Sequence, residues 1–499
     1  MKTEKIQKIL LVILFFVSFF PRFMFLSKGP FHYDTLDYIR CGEMTLKNFS
    51  IAQSHGPGYP LTVTVSAIAQ LFGRLFGMDG TRSITVMVAI LASVAVVCFF
   101  FFVLKICGNM IVSFFAALLL SFLPAFFSVT THGRLDHGLE MIFIFLSFYV
   151  LMSKGSSSFK NIFISSVLMG LAVPSHFSAV VFIFPWALWY LFWDAPSKNL
   201  FRPKYLLATF IGLSLPTVVF YFQKFASSGF DIFIGTLKDA NQAVAWVSLV
   251  NHLTFLSLRW IRDMIKIPGI AVGLLGLYFM IRQFHWRRLL LLGLWFLFSF
   301  LYFANIQSTS PRYMILPLVP FILFEAYGLY KIYSFQKILG LAVLAVLIFM
   351  MINPLIPILS FRHRHNLQKE FALYLENLME ENSVILAKDE WIFLEHYIKN
   401  KPRIITGFPS TCEPDQMDKF LDQLDKWMAE GRKIYIIETG FGYDPCELFS
   451  AGSSKRYDIK VAGEHINEDW HHKCLMLAIF KEHVFKLSPK ESADPNKTQ

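Results

Sequence analysis

Apolar runs of near-spanning length recur through the first 360 residues, and this pattern restricts the chain to one broad class of fold. The runs lie at 6–26, 84–104, 110–130, 138–153, 161–175, 177–193, 205–222, 267–282, 289–304, 314–330 and 338–358. A helix needs about 20 apolar residues to cross about 30 Å of hydrocarbon, so each run predicts a transmembrane helix. Of the 499 residues 55% are apolar, 55 of them phenylalanine, and the mean hydropathy is +0.50. No water-soluble core hides that much apolar surface, which excludes a soluble enzyme, a disordered chain and a fibrous protein.

Charge placement sets the expected topology. Residues 58–76 either cross, giving twelve spans, or lie along the surface, giving eleven. With eleven, the cytoplasmic connections carry Lys105, Lys154, Lys160, Lys198, Arg202, Lys204, Arg282, Arg287, Arg288, Lys331 and Lys337; with twelve, all of these face outward. The positive-inside rule selects eleven and places the N-terminus, with Lys2, Lys5 and Lys8, in the cytoplasm. Residues 6–26 are expected to remain as a first span, because no small-residue cleavage site follows and Pro21-Arg22 interrupts the run. Residues 58–76, with Gln70 and Arg74 among apolar neighbours, are then expected to form an amphipathic helix in the outer interface. Pro174-Ser175-His176 becomes a tight outer turn.

The formal net charge of +11 is uneven: 27 Lys and Arg against 12 Asp and Glu up to Ser360, then 19 against 23 from Phe361 onward. The basic excess belongs to the membrane part, so it does not imply a nucleic-acid partner. Two domains are expected: a transmembrane domain over 1–360, and an extracytoplasmic soluble α/β domain over 361–499. In the tail the periodicity predicts helices at 366–380, 390–400 and 414–430, and strands at 384–386, 403–406, 433–438, 457–466 and 474–480. No Gly-rich phosphate loop follows these strands, so the tail is assigned no cofactor. The six cysteines form no CxxC pair, and Cys412, Cys446 and Cys474 leave disulfide pairing open.

In this topology nine of the membrane part's twelve acids fall on or near the outer side: Asp34, Asp37, Glu43, Asp79, Asp136, Glu140, Asp231, Asp239 and Asp263. Acids carry little topological weight, so their sidedness points to chemistry at the outer face. The first outer loop, 27–83, holds His32-Tyr33-Asp34-Thr35-Leu36-Asp37-Tyr38 and His55-Gly56-Pro57-Gly58-Tyr59-Pro60. Asp34 and Asp37 share a helix face at i,i+3. Asp34 suits a general base; the structural alternative is a helix N-cap. The second outer loop carries Arg134, Asp136 and His137, with Glu140 one turn on. An ionisable group beside a span is a functional candidate, the alternative being an ion pair of Arg134 with Asp136 or Glu140. Arg312, beside Tyr313, suits a phosphate contact or snorkels to headgroups, and His176 is ambiguous in the same way. His471-His472 near Cys474 has poor metal spacing.

Taken in order, Asp34 with Tyr38, then His55-Gly56-Pro57-Gly58-Tyr59-Pro60, Arg134-Leu135-Asp136, and Arg312-Tyr313 through Leu316-Pro317 resemble the motifs of the GT-C membrane glycosyltransferases. The similar branch contains the protein O-mannosyltransferases and the lipid A aminoarabinose transferase, and the resemblance covers roughly residues 6–360. Thr35 stands where that family usually has Glu.

The resemblance implies transfer of a sugar from a polyprenyl-phosphate carrier to a protein, lipid or glycan acceptor outside the cytoplasm. It implies inversion, with Asp34 as base. Arg134 and Arg312 become candidates for the donor phosphate, with Asp37, Tyr38, His55, Tyr59, Asp136, His176 and Tyr313 lining the substrate site. A divalent metal ion is left open, Asp136 being its candidate ligand.

Two other classes compete: a secondary transporter, for which Glu325 alone lies deep in a span, and a membrane assembly or scaffold protein. The expected location is a bacterial cytoplasmic membrane. Single cysteines introduced at Asp34 and at Lys154 are expected to label from opposite sides of the membrane. Labelling of both from one side would refute the topology.

Overall fold

The computed structural model describes residues 2–52, 59–153, 158–192, 202–242, 264–284, 286–304, 311–387, 391–398, 403–406, 414–437, 456–466 and 481–489. The chain divides into two compact units, one of residues 1–26 and 37–360, the other of 27–36 and 361–499.

The first unit is helical. Its elements are α1 (Lys2–Met24), α2 (Tyr33–Asn48, begun in the second unit), α3 (Pro60–Leu75), α4 (Gly80–Cys107), α5 (Met110–Phe122), α6 (Pro124–Val129), α7 (Leu135–Leu151) and α8 (Phe159–Ser175). They continue with α9 (Val180–Phe192), α10 (Pro203–Gln242), α11 (Ile267–Gln283), α12 (Trp286–Ala304), α13 (Val319–Phe335), α14 (Lys337–Ile352) and α15 (Ile356–Arg364). Among the described residues five helical stretches are long and apolar enough to cross a membrane: Glu4–Met24, Gly80–Cys107, Pro203–Phe222, Trp286–Phe303 and Lys337–Arg364. Met110–Phe122, Phe159–Ser175, Phe177–Phe192 and Ile267–Gln283 are shorter and equally apolar. Many of their large apolar side chains are exposed, among them Val12, Phe16, Phe20, Phe210 and Val219, as lipid-facing surfaces require.

Local chemistry sets the breaks. Gly108 adopts φ +64° to end α4, and the Asn109 side chain then accepts from the amides of Ile111 and Val112 to start α5. Pro124 separates α5 from α6. The run expected at 314–330 becomes helical only at Val319, because Pro320 is tolerated only in a first turn and Pro311–Met314 forms a short 3-10 turn instead. Helix α10 continues to Gln242, well past the expected end at 222.

Helices α11 and α13 approach closely through glycine. A methyl on Gly276 would overlap the Phe324 carbonyl, and one on Gly328 would overlap that of Val272. Glu325 lies on this seam, fully buried, its carboxylate against Gly269 and without a hydrogen-bond partner.

Helix α3 occupies the interfacial segment expected at 58–76. Ile68, Leu71, Phe72 and Leu75 form an exposed apolar stripe at i, i+3, i+4 and i+7 spacing. The opposite face carries its polar groups inward: Thr62 donates to the Ser175 carbonyl, Ser66 to that of Tyr38 and Gln70 to that of Ile39.

The second unit contains α16 (Leu367–Leu378), β1 (Ser383–Leu386), α17 (Trp391–Tyr397), β2 (Arg403–Thr406), α18 (Pro414–Ala429), β3 (Ile434–Ile437), β4 (Tyr457–Ile466) and β5 (Lys481–Pro489). The strand order is β2-β1-β3-β5-β4, with β1 parallel to β2 and β3, and with β5 antiparallel to β3 and β4. Each face of the sheet has its own core, one around Phe371, Leu375 and Tyr435, the other around Leu421, Leu424 and Ile436. The segment expected as a strand at 474–480, the three tail cysteines and His471-His472 lie outside the described residues.

Ser27–Leu36 packs within this unit, although the sequence reading assigned the whole loop 27–83 to the membrane part. The Lys28 amide donates to the Arg362 carbonyl at 2.9 Å, Phe31 packs with Phe361 and Leu367, and the Arg362 guanidinium lies 5.6 Å from the Phe31 ring centroid. These contacts join residues more than 300 positions apart in sequence, which no local pattern reveals.

One buried cation organises the outer end of the first unit. Arg22, 0% exposed, donates through Nε to Thr130 Oγ1 at 2.8 Å. Nη1 donates to the Ser18 carbonyl and to the hydroxyls of Ser18 and Ser121, and Nη2 to the Ser121 carbonyl at 2.7 Å. The rings of Phe126 and Phe127 lie 5.0 and 4.9 Å from its guanidinium carbon. Arg22 thus ties α1 to α5 and to the residue that opens the second outer loop. Arg22→Met should cost about 2–3 kcal/mol, measured by thermal unfolding in detergent; Arg22→Lys should recover part of the loss.

Candidate active site

The second outer loop turns sharply after α6, with Gly133 at φ +95°, so that Arg134 immediately precedes α7. Arg134 and Asp136, 1% and 0% exposed, form a bidentate pair: Nε to Oδ1 at 3.1 Å and Nη2 to Oδ2 at 2.6 Å. The ion-pair alternative is therefore realised, with Asp136 and not with Glu140. Burial, with Arg312 adding to it, pulls the Arg134 pKa down to about 10 against the support of Asp136, and the group stays charged at neutral pH.

Helix α7 carries the cluster inward at i and i+4, Asp136 being followed by Glu140. His176, in the break between α8 and α9, spans the two acids: Nε2 lies 3.4 Å from Asp136 Oδ2 and Nδ1 lies 3.6 Å from Glu140 Oε2. Ser178 donates to Glu140 Oε1 at 2.7 Å and hydrogen-bonds His176 Nδ1. Tyr59 stacks flat on His176, centroids 5.1 Å apart and planes at 5°, and Tyr38 meets Tyr59 edge-on at 6.1 Å. The buried Tyr38 hydroxyl has no hydrogen-bond partner. Arg312 donates to the Tyr313 hydroxyl at 3.1 Å, and Tyr313 stacks on Phe303 at 5.6 Å. A small cavity is lined by His137, Glu140, Ser178, Phe303, Arg312 and Tyr313. One buried site thus joins Tyr38, Tyr59, Arg134, Asp136, His176, Arg312 and Tyr313.

Asp37, 7% exposed, lies on α2 beside Tyr38 and accepts from Cys41 Sγ at 3.5 Å. Asp34 belongs to the second unit. It sits inside the first turn of α2, not at the capping position before it, and is 8% exposed. Its backbone amide donates to His32 Nδ1 at 3.1 Å. His55 lies outside the described residues. Asp136 makes a poor metal ligand, both its oxygens being bonded by Arg134, and among the described residues no three His, Cys, Asp or Glu side chains converge to hold a metal ion.

Ser178, and the pairing of His137 with Glu140, were not anticipated as parts of the site. The spacing His137-x-x-Glu140, directly after Arg-x-Asp, was the available signal. Ser178 had none, because its place depends on the break at His176.

Residues 60–222, about a third of the chain, match the family model for dolichyl-phosphate-mannose-protein mannosyltransferases. No curated protein sequence matches. Among solved structures, ArnT from Cupriavidus metallidurans bound to undecaprenyl phosphate is similar at 12% identity and a TM-score of 0.58, over 97% of this chain and 98% of that one. The Archaeoglobus fulgidus oligosaccharyltransferase, in complex with zinc and sulfate, is 13% identical over 86% of this chain and 67% of its own, with a TM-score of 0.55. Mycobacterial arabinofuranosyltransferase AftD is 12% identical over 95% of this chain and 41% of its own, with a TM-score of 0.53. The chain thus shares the fold of these membrane proteins, and its residues 60–222 resemble the protein mannosyltransferase family.

Proposed function

We propose that the chain is a glycosyltransferase that moves a sugar from a polyprenyl-phosphate donor to an acceptor outside the cytoplasm, with inversion and with Asp34 as general base. The observation that carries this reading is the buried cluster of Arg134, Asp136 and His176, with the half-buried Arg312 lining the cavity beside it, at the ends of membrane helices. Such a site suits a substrate that is lipid at one end and anionic at the other. The undecaprenyl phosphate bound to ArnT is a molecule of that kind.

In this mechanism the acceptor hydroxyl loses its proton to Asp34 as its oxygen attacks the anomeric carbon. The bond from that carbon to the phosphate oxygen breaks, and its electron pair stays on the departing polyprenyl phosphate. Phosphate is already a good leaving group, so the site needs cations more than a general acid. Arg312 supplies one. Asp136 holds Arg134 through Nε and Nη2, which fixes the plane of a second cation at the site.

The lipid has apolar surface to lie on. A groove lined by Val173, Phe177, Val180, Leu213 and Val218 runs between α8, α9 and α10, and α3 adds its exposed stripe. The metal left open in the sequence reading has no role in these steps.

The test is incubation of the purified protein with a panel of polyprenyl-phosphate sugars, scoring release of the lipid phosphate. One member of the panel should be consumed. Asp34→Asn should lower turnover by at least about a hundredfold while donor binding stays intact; near-normal turnover would sink the assignment. Asp136→Asn should leave the buried Arg134 uncompensated and destabilise the protein by about 3–5 kcal/mol, read as a lower unfolding midpoint.

A further inference from the structure

We propose that His137 is a further donor contact, its Nε2–H binding an oxygen of the polyprenyl phosphate beside Arg312. This rests on the function proposed above and deepens it. The two ring nitrogens of His137 have different surroundings. Nδ1 faces Glu140 Oε2 at 3.9 Å, the same oxygen that lies 3.6 Å from His176 Nδ1, and the two imidazole rings are 5.1 Å apart. Nε2, at the far side of the ring, is buried and has no hydrogen-bond partner, although the residue is only 5% exposed. Leaving a buried nitrogen unsatisfied is costly, and a ligand oxygen in the cavity would complete it. The ring lines the same cavity as Arg312 and Tyr313.

The charges around the ring favour phosphate. Glu140 and Asp136 flank the pair of histidines, and the Glu140 carboxylate on the Nδ1 side favours a proton on that nitrogen. With Nδ1–H turned to Glu140, Nε2 can donate only from the imidazolium, which an anion in the cavity stabilises. Arg312, on the same wall, supplies the long-lived positive charge that brings the anion in. A neutral sugar hydroxyl would gain less from either group.

The experiment measures binding of undecaprenyl phosphate, with undecaprenol as the control lipid, to the full chain in detergent. His137→Phe should weaken undecaprenyl phosphate by about tenfold to a hundredfold, the loss expected for a hydrogen bond to a charged group, and should leave undecaprenol unchanged. His137→Gln places an amide nitrogen near the position of Nε2 and should recover most of the affinity, which a purely structural role would not give. Wild-type affinity in His137→Phe, or equal losses in the Phe and Gln variants, overturns the proposal. So does a loss confined to the sugar-bearing donor, which would make His137 a sugar contact. If the unaltered chain ignores undecaprenyl phosphate, the function beneath falls and this contact with it.

Discussion

A guanidinium and a carboxylate held together away from water are the constraint on which the site depends. Removing Arg134 and Asp136 from solvent costs several kcal/mol per ion, and only near-ideal geometry offsets it. The two hydrogen bonds at 2.6 and 3.1 Å provide that geometry. They also make the pair directional, since Asp136 opens α7 and its carboxylate is shared with His176 from another helix break. Loss of the pair would therefore disturb two helix entries together.

The Arg22 network has the same logic with a different answer. Among the described residues Arg22 has no carboxylate partner; five hydrogen bonds to hydroxyls and carbonyls take its place, with the rings of Phe126 and Phe127 close by. Thr130 passes the Arg22 Nε bond to its own backbone through its hydroxyl, which donates to the Phe126 carbonyl. The loop that presents Arg134 is thus tied at its first residue by one buried cation, and its last turn is closed by another.

Much of this was legible in the residues. Hydropathy marked the helices, and β1, β2 and β4 fall within a residue of the runs read as strands. The break at His176 was visible because 161–193 is too long for one crossing, and that break sets the histidine between Asp136 and Glu140. The sequence also brought Arg134, Asp136 and Arg312 forward as a group. It could not show that Asp136 is consumed by Arg134, because i,i+2 spacing across a turn is set by Gly133 and not by helical periodicity. It did not show Ser178, whose bond to Glu140 arises from packing between helices, and the His137–Glu140 pair, at i,i+3 on α7, went unread although its spacing was visible. On α3 the two polar residues that suggested an amphipathic interfacial helix part company: Gln70 turns inward to the Ile39 carbonyl, while Arg74 stays exposed among Leu71, Phe72 and Leu75.

Ser27–Leu36 packs with Phe361 and Leu367, so the proposed base rides on a segment of the C-terminal unit. If Asp34 is that base, the apolar helices by themselves do not make a minimal catalyst. Removing residues 361–499 would strip the segment that carries Asp34 of the packing around Phe31 while the preceding helices stayed in place.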